Sequence, residues 1–296
     1  MEPMPRQLWY FLIQGKQDES TGVFGNFYAY GEHCGVSLYH ALKAAKENGI
    51  ISPDAIETER LDNLESFQLP SDCIEINKEV LMRPTLYSFE VSEGEMQFIP
   101  PDGIIKTSED GKHDYALIKE CFVAYNKNEN GIFEFELIVN KEHLNDIFFK
   151  AIDFLPTIDG FWIYVWNHWD EEKTELWAAK YFTNKKQILD FLESNKSSTL
   201  ENGYIDCVVH SVMGETNLTL DEHKKIQLHT KDENVFKEFI RRIADLGYNQ
   251  TKLFYNLEYE YYHLHYRPFG SLNRNDFISC LKEQRFELLD SWSESN

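Results

Sequence analysis

Paired cysteines, a basic surplus and long apolar runs are all missing from this chain of 296 residues. Its five cysteines, Cys34, Cys73, Cys121, Cys207 and Cys280, are odd in number and widely spaced. No CxxC or CxH pair occurs, which argues against a cysteine-built zinc site and against a disulfide framework. No run of about 18 apolar residues occurs, so no membrane span is expected. The opening Met-Glu-Pro-Met-Pro-Arg lacks the basic and apolar regions of a secretion signal, so a cytoplasmic location is expected. There is no G-x-S-x-G, no P-loop, no dinucleotide-binding glycine fingerprint and no H-E-x-x-H. Gly22-Val23-Phe24-Gly25 is too sparse to cradle a phosphate. With these motifs missing, no cofactor is expected.

What is abundant is negative charge and aromatic surface. Fifty acidic residues stand against 29 basic ones, a formal net charge of −21. Such a field repels nucleic-acid phosphates and anionic lipid, so neither is an expected partner. It attracts basic proteins and speeds their association. Aromatics make up 15% of the chain, too many for the acidity to signal disorder.

Hydrophobic periodicity describes an α+β protein. An apolar run over Leu8–Ile13 and a second over Val23–Tyr30 read as a hairpin. A helix over residues 36–48 follows, with Gly49 as its left-handed terminator. Residues 50–114 are broken by prolines. Ser52 and Pro53 mark a helix start over 53–64, Ile74–Ile76 and Tyr87–Val91 suit strands, and 107–114 reads as a loop. From residue 115 a strand–strand–helix rhythm recurs. Strands over 116–125 and 132–139 lead to a helix over 141–155, and strands over 161–166 and 175–182 lead to a helix over 185–193. Strands over 204–212 and 225–229 come next. Thr230 and Glu233 suggest a capping box for a helix ending at Gly247. A strand over 252–259, with an alternative that runs on to His265, and a helix over 275–284 complete the pattern.

These elements predict antiparallel sheets with helices on one face. Two pairings fit the C-terminal half: tandem strand–strand–helix units, or, from Glu175 onward, a ferredoxin-like sandwich. The expected division is an N-terminal α+β domain over 1–157 and a C-terminal domain over 158–296.

Three sets of residues are candidates for function. In Gly31-Glu32-His33-Cys34-Gly35, a cysteine at a helix start has its thiolate favoured by free backbone N–H groups, and His33 is a neighbouring base. The plain alternative is a small buried residue at a strand–helix turn. His263 and His265 lie two apart, so on a strand both imidazoles share a face and can meet one metal. A third ligand must come from elsewhere, such as His223, His229 or a carboxylate. The plain alternative is histidines at the wet rim of a strand.

The third set is aromatic. Trp162, Tyr164 and Trp166 share a strand face and suit core packing. Trp169 in the following turn, beside Asp170, Glu171 and Glu172, suits an exposed contact for a basic, apolar partner. Acidic pairs such as Asp18-Glu19 and Asp221-Glu222 are too numerous for adjacency to single one out.

Two functions follow. The first is a non-catalytic acidic binding module that neutralises a basic protein, as an inhibitor or immunity-type protein does. The second is an enzyme of unrecognised type with its site between the domains, using Cys34 as nucleophile.

Overall fold

The computed structural model describes residues 6–18, 21–61, 67–90, 98–106, 112–113, 115, 117–170, 173–182, 184–258 and 263–293. The fold is α+β, with antiparallel sheets and helices, as the periodicity predicts.

The first sheet begins with the expected hairpin, β1 (Gln7–Lys16) and β2 (Thr21–Gly31), followed by α1 (Cys34–Glu47). Next come β3 (Ile51–Arg60), β4 (Ile74–Asn77), β5 (Val80–Glu90), β6 (Ile104–Lys106) and β7 (Lys112–His113). The strand order is β3-β1-β2-β5-β4, with β7 running parallel beside β5. Alternation along β1 and β2 sorts the side chains. Phe11, Ile13, Val23 and Phe27 pack on Ala41, Ala44 and Ala45 of α1. Tyr10, Leu12, Phe24 and Tyr28 point to the other face.

The helix expected at 53–64 is instead β3. The Ser52-Pro53 signal is purely local, and pairing with β1 overrides it. Ile13 opposes Ala55 and Leu12 opposes Glu57, so Ile56 is an extra residue in the ladder. This bulge re-aims the strand. Ala55 packs toward α1, whereas Glu57 and Glu59, opposite Leu12 and Tyr10, face away from it.

The second sheet is built from β8 (Cys121–Tyr125), β9 (Phe133–Ile138), β10 (Gly160–Val165), β11 (Thr174–Ala179), β12 (Ile205–Ser211), β13 (Thr216–Leu220), β14 (Ile226–Thr230) and β16 (Phe286–Trp292). Its order is β16-β11-β10-β12-β13-β14-β9-β8, antiparallel at every step. Helices α2 (Lys141–Phe154), α3 (Lys185–Ser194), α4 (Glu233–Asp245) and α5 (Arg274–Glu283) share one hydrophobic cluster with one face of it, centred on Phe148, Phe161, Phe239 and Phe277. Cap residues start these helices: Asn184 accepts from Gln187 N, and Asp232, not Thr230, accepts from Asn234 N and Val235 N.

Two expectations for this half are corrected. The boundary expected between 157 and 158 falls inside this sheet, because β8, β9 and α2 belong to it. Strand–strand–helix units do recur, but the ferredoxin-like pairing does not form. Helix α3 carries the chain from β11 to β12 across β10, which is one split β-α-β unit. After α4 the chain leaves the sheet. Residues 252–258 form no strand, and β15 (His263–His265) pairs with β6. Strands β13 and β16 were not foreseen, since Thr216–Leu220 is too short and polar, and Phe286–Trp292 is mostly exposed.

The β6–β15 ribbon joins the two sheets. Ile105, Leu264 and Tyr266 pack on Leu12 and Phe24 of the first sheet. Ile104 packs with Phe98, Ile118 and Ile138 on the side of the second. Two glycines allow the chains to meet here. Tyr266 N donates to Gly103 O and Gly203 N donates to Tyr266 O, each at 2.9 Å. Gly103 has φ +99°, and a Cβ on Gly203 would lie 1.7 Å from Gly103 O. Replacement Gly203→Ala is therefore predicted to push the ribbon off the second sheet and to cost about 3 kcal/mol or more, the upper range for overpacking. A urea-unfolding midpoint unchanged from the parent chain would refute the glycine contact.

Candidate functional site

Five turns and strand ends converge beside the ribbon. The β13–β14 turn, Asp221 to Lys225, is tight and almost entirely charged. Asp221 Oδ1 accepts from Lys225 N at 2.8 Å and Lys224 takes φ 62°. This turn projects Glu222 and His223 into a cavity of about 570 Å³. His263 and His265 enter from one face of β15, His168 from the β10–β11 turn, Tyr204 from the start of β12, and Glu258 from the segment before the ribbon.

The imidazoles are close. His223 Nε2 stands 3.1 Å from His263 Nε2, and a ligand atom from each of His223, His263 and His265 lies within 4.8 Å of the others. Two nitrogens bound tetrahedrally to one zinc at about 2.0–2.1 Å stand roughly 3.3 Å apart, so these three rings need little movement to share an ion. Two of them are already oriented from behind. His265 Nδ1 donates to Gly203 O, which leaves Nε2 as its lone pair. His223 Nδ1 lies 3.1 Å from Glu258 Oε1, and the carboxylate accepts its proton, again leaving Nε2. Such outer partners set the tautomer and direction of metal-binding histidines.

Carboxylates complete the group. His168 Nε2 lies 3.6 Å from Glu222 Oε2, and with His265 they form a second ligand triad. Glu222 Oε2 is buried without a hydrogen-bond partner among the described residues. Burial, and then the neighbouring Asp206 and Asp221, push the Glu222 carboxyl up to about 9. Glu258 is held the other way, at about 2, by its hydrogen bonds from His223 and Lys225. Burial, with the neighbouring His168 and His223, lowers His265 to about 2, so it stays a neutral imidazole, the form that binds metal.

Four buried cations frame the cavity. Lys225 Nζ reaches Glu258 at 2.6 Å, Asp221 at 3.6 Å and Glu136 at 3.7 Å. Lys224 Nζ donates to Asn202 O at 2.6 Å, beside the Gly203 carbonyl that holds His265. Arg267, two residues past His265, donates through Nη2 to Thr58 O and Glu59 and tethers the ribbon to β3. Arg274, at the start of α5, donates to Trp166 O at 2.9 Å and Lys173 O at 2.6 Å and so clamps the turn that carries His168.

The sequence candidates fare differently. His263 and His265 share a face and meet His223, as strand geometry requires. His229 sits on β14 opposite Asn217 and Glu134 and is not in the cluster. Cys34 opens α1 as expected, but it packs against the core of the first sheet and burial pushes its thiol up, the wrong direction for a nucleophile. Neither Cys34 nor His33 lines the histidine cavity.

Trp169 is not an exposed contact. It is buried, stacked on Tyr204 at 5.4 Å and tilted against Phe277 at 6.1 Å. The turn folds back on itself, with Asp170 at φ 64°, because burying an indole outweighs leaving it in water. Asp170 is exposed, and Glu171 and Glu172 lie outside the described residues. Trp162, Tyr164 and Trp166 do share a face, but it is the one opposite the helices. Phe161, Ile163 and Val165 fill the core instead.

Sequence reasoning missed Glu222, Glu258 and His168. A five-residue run of charges at 221–225 reads as a solvated turn, and nothing local announces that two of its lysines are buried.

Among family models, curated proteins and solved structures, nothing matches this chain. Among the described residues, no helix is long and apolar enough to cross a membrane.

The carboxyl shifts fix a pH dependence for the metal-free chain. Glu57 is raised from 4.5 to about 8 by burial, and Glu222 from 4.5 to about 9. Both are ionised in the unfolded chain and protonated in the folded one across this window, so stability falls as pH rises. His265 opposes this only below its ordinary value of 6.5, above which the unfolded imidazole is neutral too, and Lys224, lowered by burial, offsets part of the decline. Stability is predicted to decline between pH 6.5 and 8, by up to about 2–3 kcal/mol per pH unit for two groups. Urea unfolding in EDTA checks this, with Glu222→Gln expected to shrink the slope. A rise in stability over that interval would contradict the assignment.

Proposed function

We propose that this chain is a metal-dependent enzyme of the hydrolytic type, with a divalent transition metal held by His223, His263 and His265. The observation that carries the reading is the convergence of these three imidazoles from the β13–β14 turn and β15, with two of them aimed by Glu258 and by Gly203 O. Three imidazoles suit zinc, and three protein ligands would leave a coordination position open to water or substrate. A bound zinc supplies Lewis acidity toward a water, a carbonyl or a phosphoryl oxygen.

The chain's own groups supply the rest. Glu222, within the second triad, would be the proton acceptor: burial raises its carboxyl in the metal-free chain, and a divalent charge beside it would favour the carboxylate. His168 Nε2 lies 3.6 Å from Glu222 Oε2, beside that carboxyl but beyond hydrogen-bond reach. The cavity lies where the ribbon joins the two sheets, a placement usual for small-molecule sites. This enzyme reading moves the chemistry away from Cys34.

The binding-module reading keeps one observation in its favour. Trp162 stacks on His210 at 5.1 Å, Tyr164 on Trp166 at 6.1 Å and edge-on to Trp292 at 6.3 Å, forming an aromatic row on the face of the second sheet that the helices leave open. A basic protein partner suits the chain's negative charge, and retention of one defined lysate protein at low salt but not at high salt would support it.

Metal analysis of protein purified without a histidine tag tests the main reading. About one equivalent of zinc is expected. His263→Ala and His265→Ala are each expected to lose it, Glu258→Gln to weaken it 10–100-fold, and His229→Ala to keep it. Cobalt substitution then separates an open site from a closed one, because azide and pH should alter the visible spectrum only if a position is open. Absence of stoichiometric metal would sink the centre; a cobalt spectrum indifferent to azide would sink the catalytic reading.

A further inference from the structure

The geometry points to a substrate class: a small organic cation with a flat apolar body, an arylalkylamine in chemical type, seated in the cavity that adjoins the histidines. This rests on the metal-centre reading for the fate of the bound molecule, although its binding is testable alone.

The adjoining cavity, about 380 Å³, shares Tyr204, Leu264 and His265 with the histidine cavity. It is of the size that holds one small molecule. Its walls are aromatic: Tyr10, Tyr28 and Tyr87 from the first sheet, Trp169 and Tyr204 from the second. Tyr10 and Tyr28 sit directly opposite each other on β1 and β2 with ring centroids 5.5 Å apart. Trp169 stacks on Tyr204. Ring faces of this kind attract cations as well as apolar bodies.

Charge decides the sign of the ligand. Two arginines line the cavity, and both are engaged. Arg83 Nε donates to Asp72 at 2.9 Å, and Arg267 spends Nη2 on Glu59 and Thr58 O and Nη1 on Ser271 O. That leaves Glu57. It is 8% exposed, it lines the cavity, and it accepts a hydrogen bond from the Arg267 backbone N–H, while Arg267 Nε stands 3.8 Å off, beyond hydrogen-bond reach. That one distant guanidinium does not offset the burial, and a second cation in the cavity would. The Ile56 bulge puts it there: without the extra residue, Glu57 would point toward α1 with Ala55. Burial holds the Glu57 carboxyl near 8 while the cavity has no cation, and a bound ammonium stabilises its charged form.

An ammonium beside Glu57, with its ring against Tyr10 and Tyr28, directs the rest of the molecule past Tyr204 and Leu264 toward His265. The amine is the recognised group, and the remainder of the molecule lies on the side of the histidines.

Calorimetric titration of the zinc-loaded full chain with 2-phenylethylamine, 2-phenylethanol and phenylacetate tests the inference, with metal content measured on the same samples. The amine should bind at least tenfold more tightly than the alcohol, and phenylacetate more weakly still. Glu57→Gln should abolish the preference for the amine while keeping its zinc, and Tyr87→Leu should weaken amine and alcohol alike. Equal affinities for amine and alcohol, or a preference that survives in Glu57→Gln, would overturn it. A chain that holds no zinc but prefers the amine refutes the metal centre and leaves the cation site standing. A chain that holds zinc and shows no preference does the reverse.

Discussion

Four buried cations hold this site together, in a chain whose net charge is −21. Lys224, Lys225, Arg267 and Arg274 are the buried basic residues among those described. Each lies on, beside or against a segment that carries a histidine of the cluster. Lys225 aims Glu258 at His223. Lys224 fixes the Asn202 carbonyl next to the one that holds His265. Arg267 fastens the ribbon to β3, and Arg274 closes the turn bearing His168. Taking a charge out of water costs several kcal/mol after relaxation, so none of these placements adds stability cheaply. What they add is position: each spends its donors on backbone carbonyls and carboxylates at fixed distances.

The same residues change how the acidity should be understood. A formal count treats every carboxyl as ionised, but burial raises Glu57, Asp206 and Glu222 to about 8, 7 and 9. These carboxyls are therefore wholly or partly protonated at neutral pH, and Glu57 and Glu222 line the two adjoining cavities. The surplus is thus not only a solvated coat. Part of it is an uncharged reserve inside the molecule, which becomes negative when a cation enters. A metal beside Glu222 and an ammonium beside Glu57 would draw on it in the same way, because each would supply the charge that burial has withheld.

Legibility in the sequence followed the range of the interactions. Strands and helices with their own periodicity could be seen: the first hairpin, α1, and the run from β8 to α4 apart from β13. His263 and His265 were legible as a pair because period two is a local property of a strand. Their third partner was visible only as one option among three, since nothing in residues 221–225 says that the turn is buried. β3 was hidden by a helix-start signal at Ser52-Pro53 that pairing with β1 overrode. Trp169 was hidden because a turn tryptophan flanked by acids looks exposed until Tyr204 and Phe277 are brought beside it. The missing ferredoxin-like closure has the same cause: strand count and order were partly readable, but which strands pair depends on contacts between distant segments.

The ribbon shows why register carries the function. On β15, His263 and His265 face the histidine cavity, while Leu264 and the following Tyr266 pack against the first sheet. A slip of one residue would exchange these roles, placing an alkyl chain among the imidazoles and a histidine in an apolar layer. Three residues of ladder with β6 are too few to prevent this by backbone hydrogen bonds alone. The constraint comes from outside the ribbon. Gly103 and Gly203 approach so closely that only one alignment lets Tyr266 exchange its two backbone bonds with them. Arg267, two residues past His265, anchors this end of the ribbon to Thr58 O and Glu59. Steric contact at the glycines and charge at the arginine thus select one register between them, and that register brings the histidines to one point.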